Sequence, residues 1–260
     1  MTEPVEFPIA GGISTVFSSR CPDLDRANED SAAIIPVGDS AAVLIAADGL
    51  GGSAAGAAAS AAAIQQVCES VSRTARNGGL LRTAILDGFE RANETVLAIG
   101  VGAGTTLAVA EFQDGEMRPY HVGDSAILVV GKKGKVKYQS IAHSPIGYGV
   151  EAGLIAEDDA MHHEDRHIVS NVIGTAEMHI EIGPKIKLAA FDTLVVMTDG
   201  LSDNLHADEI IDRARKGPIF TAAQNLATKA RARMDQPSEN SPSKPDDLTF
   251  LLFRPRMPKR

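Results

Sequence analysis

Short runs of Ala, Val, Ile and Leu that begin or end beside an aspartate limit the fold of this chain more than any other feature. The runs are Ala41–Ala47, Thr106–Phe112, Ala126–Val130, Leu194–Thr198 and Leu248–Phe253, each bounded by Gly, Asp or Pro. Runs of this length between turn residues read as strands with at least one buried face. Those that are apolar throughout read as strands buried on both. Two helix pairs interrupt them. After Gly51-Gly52, Ser53 can cap an Ala-rich helix running to Asn77-Gly78-Gly79, and its small side chains would let another element approach closely. Leu81, Ile85, Phe89, Ala92, Val96 and Ile99 then recur at spacings of three and four, one apolar helical stripe. Near the C-terminus, Ala207–Lys216 stops at Gly217-Pro218, and a second helix turns Ile219, Ala223, Leu226, Ala230 and Met234 inward. The polar stretch Gln236–Pro245 reads as a loop, because a strand follows it at once. This order predicts a single α+β domain over residues 1–260.

Charge and composition narrow the function classes. Lys and Arg number 25 against 34 Asp and Glu, a net charge of −9, so the positive field a nucleic-acid binder needs is missing. The basic end, Arg254 to Arg260, is too short to reverse this. No apolar run approaches the roughly 18 residues of a membrane helix, and Met1-Thr2-Glu3-Pro4 lacks the look of a secretory leader. Cys21 and Cys68 make no disulfide framework. The expectation is a cytoplasmic, monomeric protein with neither nucleic-acid nor membrane partners. With eight Phe, three Tyr and no Trp, its core must be aliphatic.

The aspartates carry the chemistry. Asp48-Gly49-Leu50 and Asp199-Gly200-Leu201 each follow an apolar run directly. Gly123-Asp124-Ser125 lies between two runs, Asp246-Asp247 opens the last, and Asn28-Glu29-Asp30 precedes a short apolar stretch. Any one Asp-Gly reads first as a turn, since both residues tolerate positive φ. Five carboxylate-bearing strand ends gathered at one end of a core would repel unless a cation neutralised them. An all-oxygen set favours Mg²⁺, Mn²⁺ or Ca²⁺ over zinc. Whether these ends meet in space is not written in the residues themselves.

The order of motifs resembles the protein phosphatase 2C family, the metal-dependent Ser/Thr protein phosphatases, in its short bacterial form. The motifs are Asn28-Glu29-Asp30, Asp48-Gly49-Leu50-Gly51-Gly52, Gly104-Thr105-Thr106, Gly123-Asp124-Ser125, Asp199 to Asp203, and Asp246-Asp247-Leu248-Thr249. They span about residues 13–253. The resemblance implies a central antiparallel β-sandwich flanked by two pairs of helices, in α-β-β-α layers. It also implies two or three Mn²⁺ or Mg²⁺ ions at one end, where a metal-activated water hydrolyses phosphoserine or phosphothreonine. By the same likeness Asp48 bridges two ions with the Gly49 carbonyl beside it, and Asp199 and Asp246 hold one ion. Asp30 and Glu29 hold the other, and Asp124 with Asp199 and Asp203 forms a third position. Asp247 is a further candidate ligand, Gly104-Thr105-Thr106 is structural, and the substrate is a phosphoprotein made by a Ser/Thr kinase.

The chain departs from the family around the substrate surface. Asp25 stands where an Arg would grip phosphate, leaving Arg26 as the candidate contact. Leu50, Ala126 and Ala142 replace a His, an Arg and an Asp. Two rival readings follow. One is a catalytically weak phosphatase-fold regulator or binding module. The other is a zinc metallopeptidase, because His163-Glu164-Asp165-Arg166-His167 satisfies H-E-x-x-H, although its setting is polar rather than a buried apolar helix. Gly100 to Gly104 suggests a phosphate loop but lacks the following Lys.

Overall fold

The computed structural model describes residues 1–22, 26–50, 54–100, 102–161, 163–238 and 241–256. Asp25, Gly51, Gly52 and the proposed cap Ser53 therefore lie outside the described residues. In chain order the strands are β1 (Val5–Ile9), β2 (Gly12–Ser19), β3 (Ser31–Val37), β4 (Ala41–Ala47), β5 (Gly49–Leu50), β6 (Gly104–Thr105), β7 (Leu107–Gln113), β8 (Glu116–Val122), β9 (Ala126–Val130), β10 (Val136–Gln139), β11 (Glu181–Ile182), β12 (Ile186–Lys187), β13 (Thr193–Met197) and β14 (Leu248–Pro255). The helices are α1 (Ala54–Asn77), α2 (Leu81–Ile99), α3 (Pro145–Glu151), α4 (Glu157–Ala160), α5 (Asp199–Ser202), α6 (Ala207–Ala214) and α7 (Ile219–Asp235), with a 3₁₀ turn at Glu164–His167.

Two large antiparallel sheets form, in the orders β1-β2-β14-β13-β9-β10 and β11-β8-β7-β4-β3 with β12 also pairing β8, and β5 and β6 make a separate two-stranded sheet. Strand parity then decides the layers, because successive side chains point to opposite faces. On β4, Val43 and Ile45 pack with Ile85 and Phe89 of α2, while Leu44 and Ala46 join Leu251 and Phe253 of β14 between the sheets. On β14 the other parity, Phe250 and Leu252, packs with Leu226 and Ala230 of α7. Each fully apolar strand therefore feeds two cores, and the result is the expected α-β-β-α sandwich. The central core is aliphatic apart from the tilted Phe112–Phe253 pair, with ring centroids 4.7 Å apart. Ile99, placed on the inward stripe by its spacing, is 36% exposed, since α2 ends there against Gly100. Strands β1 and β2 had no apolar run to announce them. In β2 the buried positions include Ser14, Thr15 and Ser19, and Ser14 spends its hydroxyl on the Leu252 carbonyl at 2.8 Å. Both cysteines are free. No helix among the described residues is long and apolar enough to cross a membrane.

Candidate metal centre

The carboxylates converge where β4 and β13 end and β14 begins. Asp48 leaves β4 held on both sides by the Gly-Thr-Thr element: its N–H donates to Thr106 Oγ1 (2.9 Å), and its carbonyl accepts from Thr105 Oγ1 (2.7 Å) and Thr106 N (2.8 Å). Asp199 opens α5 directly after β13. Asp30 accepts from Thr198 Oγ1 at 2.9 Å, which ties the strand start of β3 to the end of β13. Asp246 and Asp247 lead into β14. A cleft of about 220 Å³ opens among Asp48, Asp124, Asp199, Asp246, Arg26 and Lys244.

The glycines beside the aspartates are there for space. Neither Gly49 nor Gly200 has positive φ. A Cβ on Gly49 would lie 2.1 Å from the Gly56 carbonyl oxygen of α1, and one on Gly200 would lie 1.8 Å from the Asp247 carbonyl oxygen. One on Gly56 would meet Glu29 Oε2 at 2.4 Å and the Gly49 carbonyl oxygen at 2.8 Å. The turn reading of these Asp-Gly pairs is thus replaced by close backbone packing. The small residues at the start of α1 bring that helix against Glu29 and Gly49.

Electrostatics follow from crowding. Burial first, then repulsion from Asp199, raises Asp48 well above the ordinary carboxylate range, and burial does the same to Asp30. Asp124 is pushed up to about 7 and Asp203 to about 6, both by burial and by the Asp199 charge. Asp246 is raised for the same reasons. Asp199 is the exception: burial pushes it up, but the Lys244 ammonium and a hydrogen bond shared with Asp48 hold it below its usual value. Lys244 Nζ lies 2.6 Å from Asp199 Oδ2, 2.9 Å from Asp203 Oδ2 and 3.1 Å from Asp246 Oδ2. Asp203 Oδ2 is buried, with this ammonium as its neighbour. Arg26 pairs with Glu29 and approaches Asp247 (3.5 Å) and Asp246 (3.7 Å). Asp247 is occupied elsewhere: its two oxygens accept from Cys21 N and Glu29 N, each at 2.7 Å, stapling the loop before β3 to β14.

Sequence reasoning missed Lys244, which lay inside a stretch read only as a polar loop. A lysine two residues before an acidic pair was the available signal. It also missed the role of His143. The His143 Nδ1 accepts from Gly123 N (3.1 Å) and Asn171 Nδ2 (2.8 Å), and the His143 backbone N–H donates to the Gly123 carbonyl (3.0 Å). The ring thereby braces the turn that carries Asp124. His121, His143 and Glu181 place ligand-type atoms within 4.8 Å of one another. Because His143 Nδ1 is an acceptor, Nε2 bears the proton and donates it to Glu181 Oε2 (3.1 Å). That leaves this imidazole without a lone pair for a cation.

The zinc-protease reading fails on geometry. Glu164–His167 is a single 3₁₀ turn, with His163 outside it at φ −70°, ψ 139°, accepting from Asp165 N. Residues i and i+4 share a face of an α-helix, not of a three-residue turn. His167 instead lines the acidic cleft.

Comparison with known proteins agrees with this architecture. The protein phosphatase 2C family profile matches residues 23–236. The serine/threonine phosphatase stp of Listeria welshimeri serovar 6b is 25% identical over 234 residues, covering 86% of this chain and 89% of that protein. The S. agalactiae serine/threonine phosphatase structure superposes with a TM-score of 0.77 at 24% identity, over 93% of this chain and 98% of the other. The catalytic domain of the serine threonine protein phosphatase PstP, in complex with two manganese ions, gives 0.70 at 23% identity, over 93% and 96%. With the profile covering most of the chain and the sandwich in place, the chain belongs to the protein phosphatase 2C family.

Proposed function

We propose that this chain is a metal-dependent phosphoprotein phosphatase acting on phosphoserine and phosphothreonine, built as one domain with a core over residues 13–253. The observation that carries the reading is the convergence of Asp48, Asp199 and Asp246, with Asp30 and Asp124 beside them, in one partly open cleft. The donors fit hard divalent cations: all are oxygens, and burial together with repulsion from Asp199 raises Asp48, Asp124 and Asp246 above the ordinary carboxylate range. Relatives named as Ser/Thr phosphatases, and the manganese complex of PstP, support Mn²⁺ or Mg²⁺ and a phosphoprotein substrate. A cognate Ser/Thr kinase as the source of that substrate, a monomeric state and a cytoplasmic site of action belong to the same reading.

In it, Asp48, Asp199 and Asp246 would hold one ion, Asp48, the Gly49 carbonyl, Asp30 and Glu29 would hold a second, and Asp124, Asp199 and Asp203 would hold a third. When bound, such ions polarise phosphoryl oxygens and activate water for in-line attack. The chain's own groups do the positioning. Thr105 and Thr106 fix the Asp48 backbone, His143 fixes the Asp124 turn, Asp247 anchors the Glu29 segment, and Arg26 stands at the cleft as the phosphate contact. A binding module without turnover is the less favoured reading, because the relatives are named as serine/threonine phosphatases. The test is turnover of an aryl phosphate and of phosphopeptides with Mn²⁺. Activity that appears with Mn²⁺ and vanishes with EDTA is expected; activity that survives exhaustive chelation would falsify the reading.

A further inference from the structure

We propose that Lys244 is an internal counter-ion that a divalent cation must displace, and that it sets the metal affinity of this site. The inference rests on the metal-dependent reading above and extends it to a residue that reading leaves without a role. The geometry is specific. One ammonium has three N–H donors, and Nζ is within 3.1 Å of three carboxylates, Asp199, Asp203 and Asp246. Two of these are the residues assigned to the first ion, and Asp199 and Asp203 are two of the three assigned to the third. A cation shared by Asp199 and Asp246 and an ammonium in contact with both claim the same oxygens.

The backbone of Lys244 is clamped, so the competition is local. Its N–H donates to Asn204 Oδ1 and its carbonyl accepts from Asn204 Nδ2, both at 2.9 Å. Asn204 is fully buried; its Nδ2 also reaches the Gly200 carbonyl at 3.0 Å, and its carbonyl accepts from Arg233 Nη1 at 2.8 Å. The lysine is thus fastened to the loop that follows Asp199, while its side chain keeps 25% of its surface exposed at the cleft. Rotation of four flexible stem bonds moves the charge outward without disturbing the anchor. In the metal-free protein the ammonium relieves repulsion among the carboxylates. In the loaded protein that task passes to the metal. Lys244 therefore stabilises the fold before loading and weakens loading itself.

Isothermal titration with Mn²⁺, paired with thermal melts, tests this on the full chain. Replacing Lys244→Met removes the competing charge while keeping most of the stem. The Kd for Mn²⁺ is expected to tighten by at least ~10-fold, the scale on which one neighbouring charge shifts a binding equilibrium. The metal-free melting temperature is expected to fall, so that the rise produced by saturating Mn²⁺ becomes larger than in wild type. Lys244→Gln repeats the measurement should the methionine variant not fold without metal, and Lys244→Arg, which keeps the charge, should stay nearer to wild type. If wild type binds Mn²⁺ and both neutral variants bind it equally or more weakly, the proposal is overturned while the metal-dependent reading stands. If wild type binds no divalent ion at all, that reading fails instead.

Discussion

At the residue scale, the aspartates divide by what their oxygens already touch. Asp247 gives both to backbone N–H groups and is a staple. Asp48 has its backbone pinned by two threonines and shares a hydrogen bond with Asp199 through its carboxyl group. Asp48→Asn should therefore abolish metal binding at both principal positions and leave almost no turnover, read as metal stoichiometry beside kcat. Asp124→Asn should keep two ions and slow turnover by ~10²-fold, the usual worth of assisted proton transfer. A pH test follows from the same residue. Burial and the Asp199 charge push Asp124 up to about 7 in the folded protein, from an ordinary value of 3.8. Between those values the native state holds a proton that the unfolded state has lost, so this group's contribution to stability falls as pH rises from about 4 to about 7. Asn carries no such change. The metal-free Asp124→Asn variant should match wild type most closely near pH 4 and gain on it up to pH 7, with a constant advantage above. Melts in EDTA across that range check this, and an advantage that shrinks with rising pH would sink it.

At the element scale, the site depends on how closely α1 approaches β5. The Gly49–Gly56 contact leaves no room for a methyl group, since its nearest neighbour would be a main-chain oxygen rather than a flexible side chain. Gly49→Ala should cost about 1–3 kcal/mol, the range for overpacking, and should weaken metal binding by moving Glu29. Gly78, which has positive φ and no neighbour within 4 Å, supplies the contrast: Gly78→Ala strains only its own turn and should leave metal affinity unchanged. Calorimetry and Mn²⁺ titration of the two variants separate them. The Gly-Thr-Thr element is equally mechanical. Thr106 Oγ1 accepts from Asp48 N and lies 2.6 Å from Ser125 Oγ, so it links the segments carrying Asp48 and Asp124. Thr106→Val keeps the shape but leaves those groups unpaired, a loss of about 1–3 kcal/mol in stability. The strands and long helices behind these contacts were legible because apolar period and turn residues are local. β1 and β2 were not, because β1 buries only Ile9 and β2 puts Ser14, Thr15 and Ser19 among its buried positions, so neither carries a hydrophobic alternation.

At the scale of the whole molecule, the four layers gather segments from residue 29 to residue 247 at one end of the sandwich. The carboxylates there are stable together only with counter-charge. Saturating Mn²⁺ should raise the melting temperature of wild type by the ordinary linkage of a ligand that binds only the native state. A melting temperature indifferent to Mn²⁺ would contradict the proposed cluster. His163→Ala should leave the number of bound ions unchanged, because that ring is spent capping a 3₁₀ turn, where it accepts from Asp165 N. The open cleft suits a phosphorylated side chain on an extended peptide better than a buried metabolite, and preference for free nucleotides over phosphopeptides would count against the proposed substrate.

What the sequence determined by itself was the set of strands buried on both faces, the two helix pairs, and the acidic residues at strand ends, together with their family resemblance. Each is encoded by neighbours within a few positions, where the period of the backbone and the chemistry of a turn act directly. Tertiary structure alone decided that Gly49 and Gly200 answer to packing rather than to φ, that Asp247 staples, that His143 braces, and that Lys244 sits among the carboxylates. Those roles depend on which distant segment arrives within 3 Å, and long-range approach is set by the packing of whole layers rather than by any local spacing.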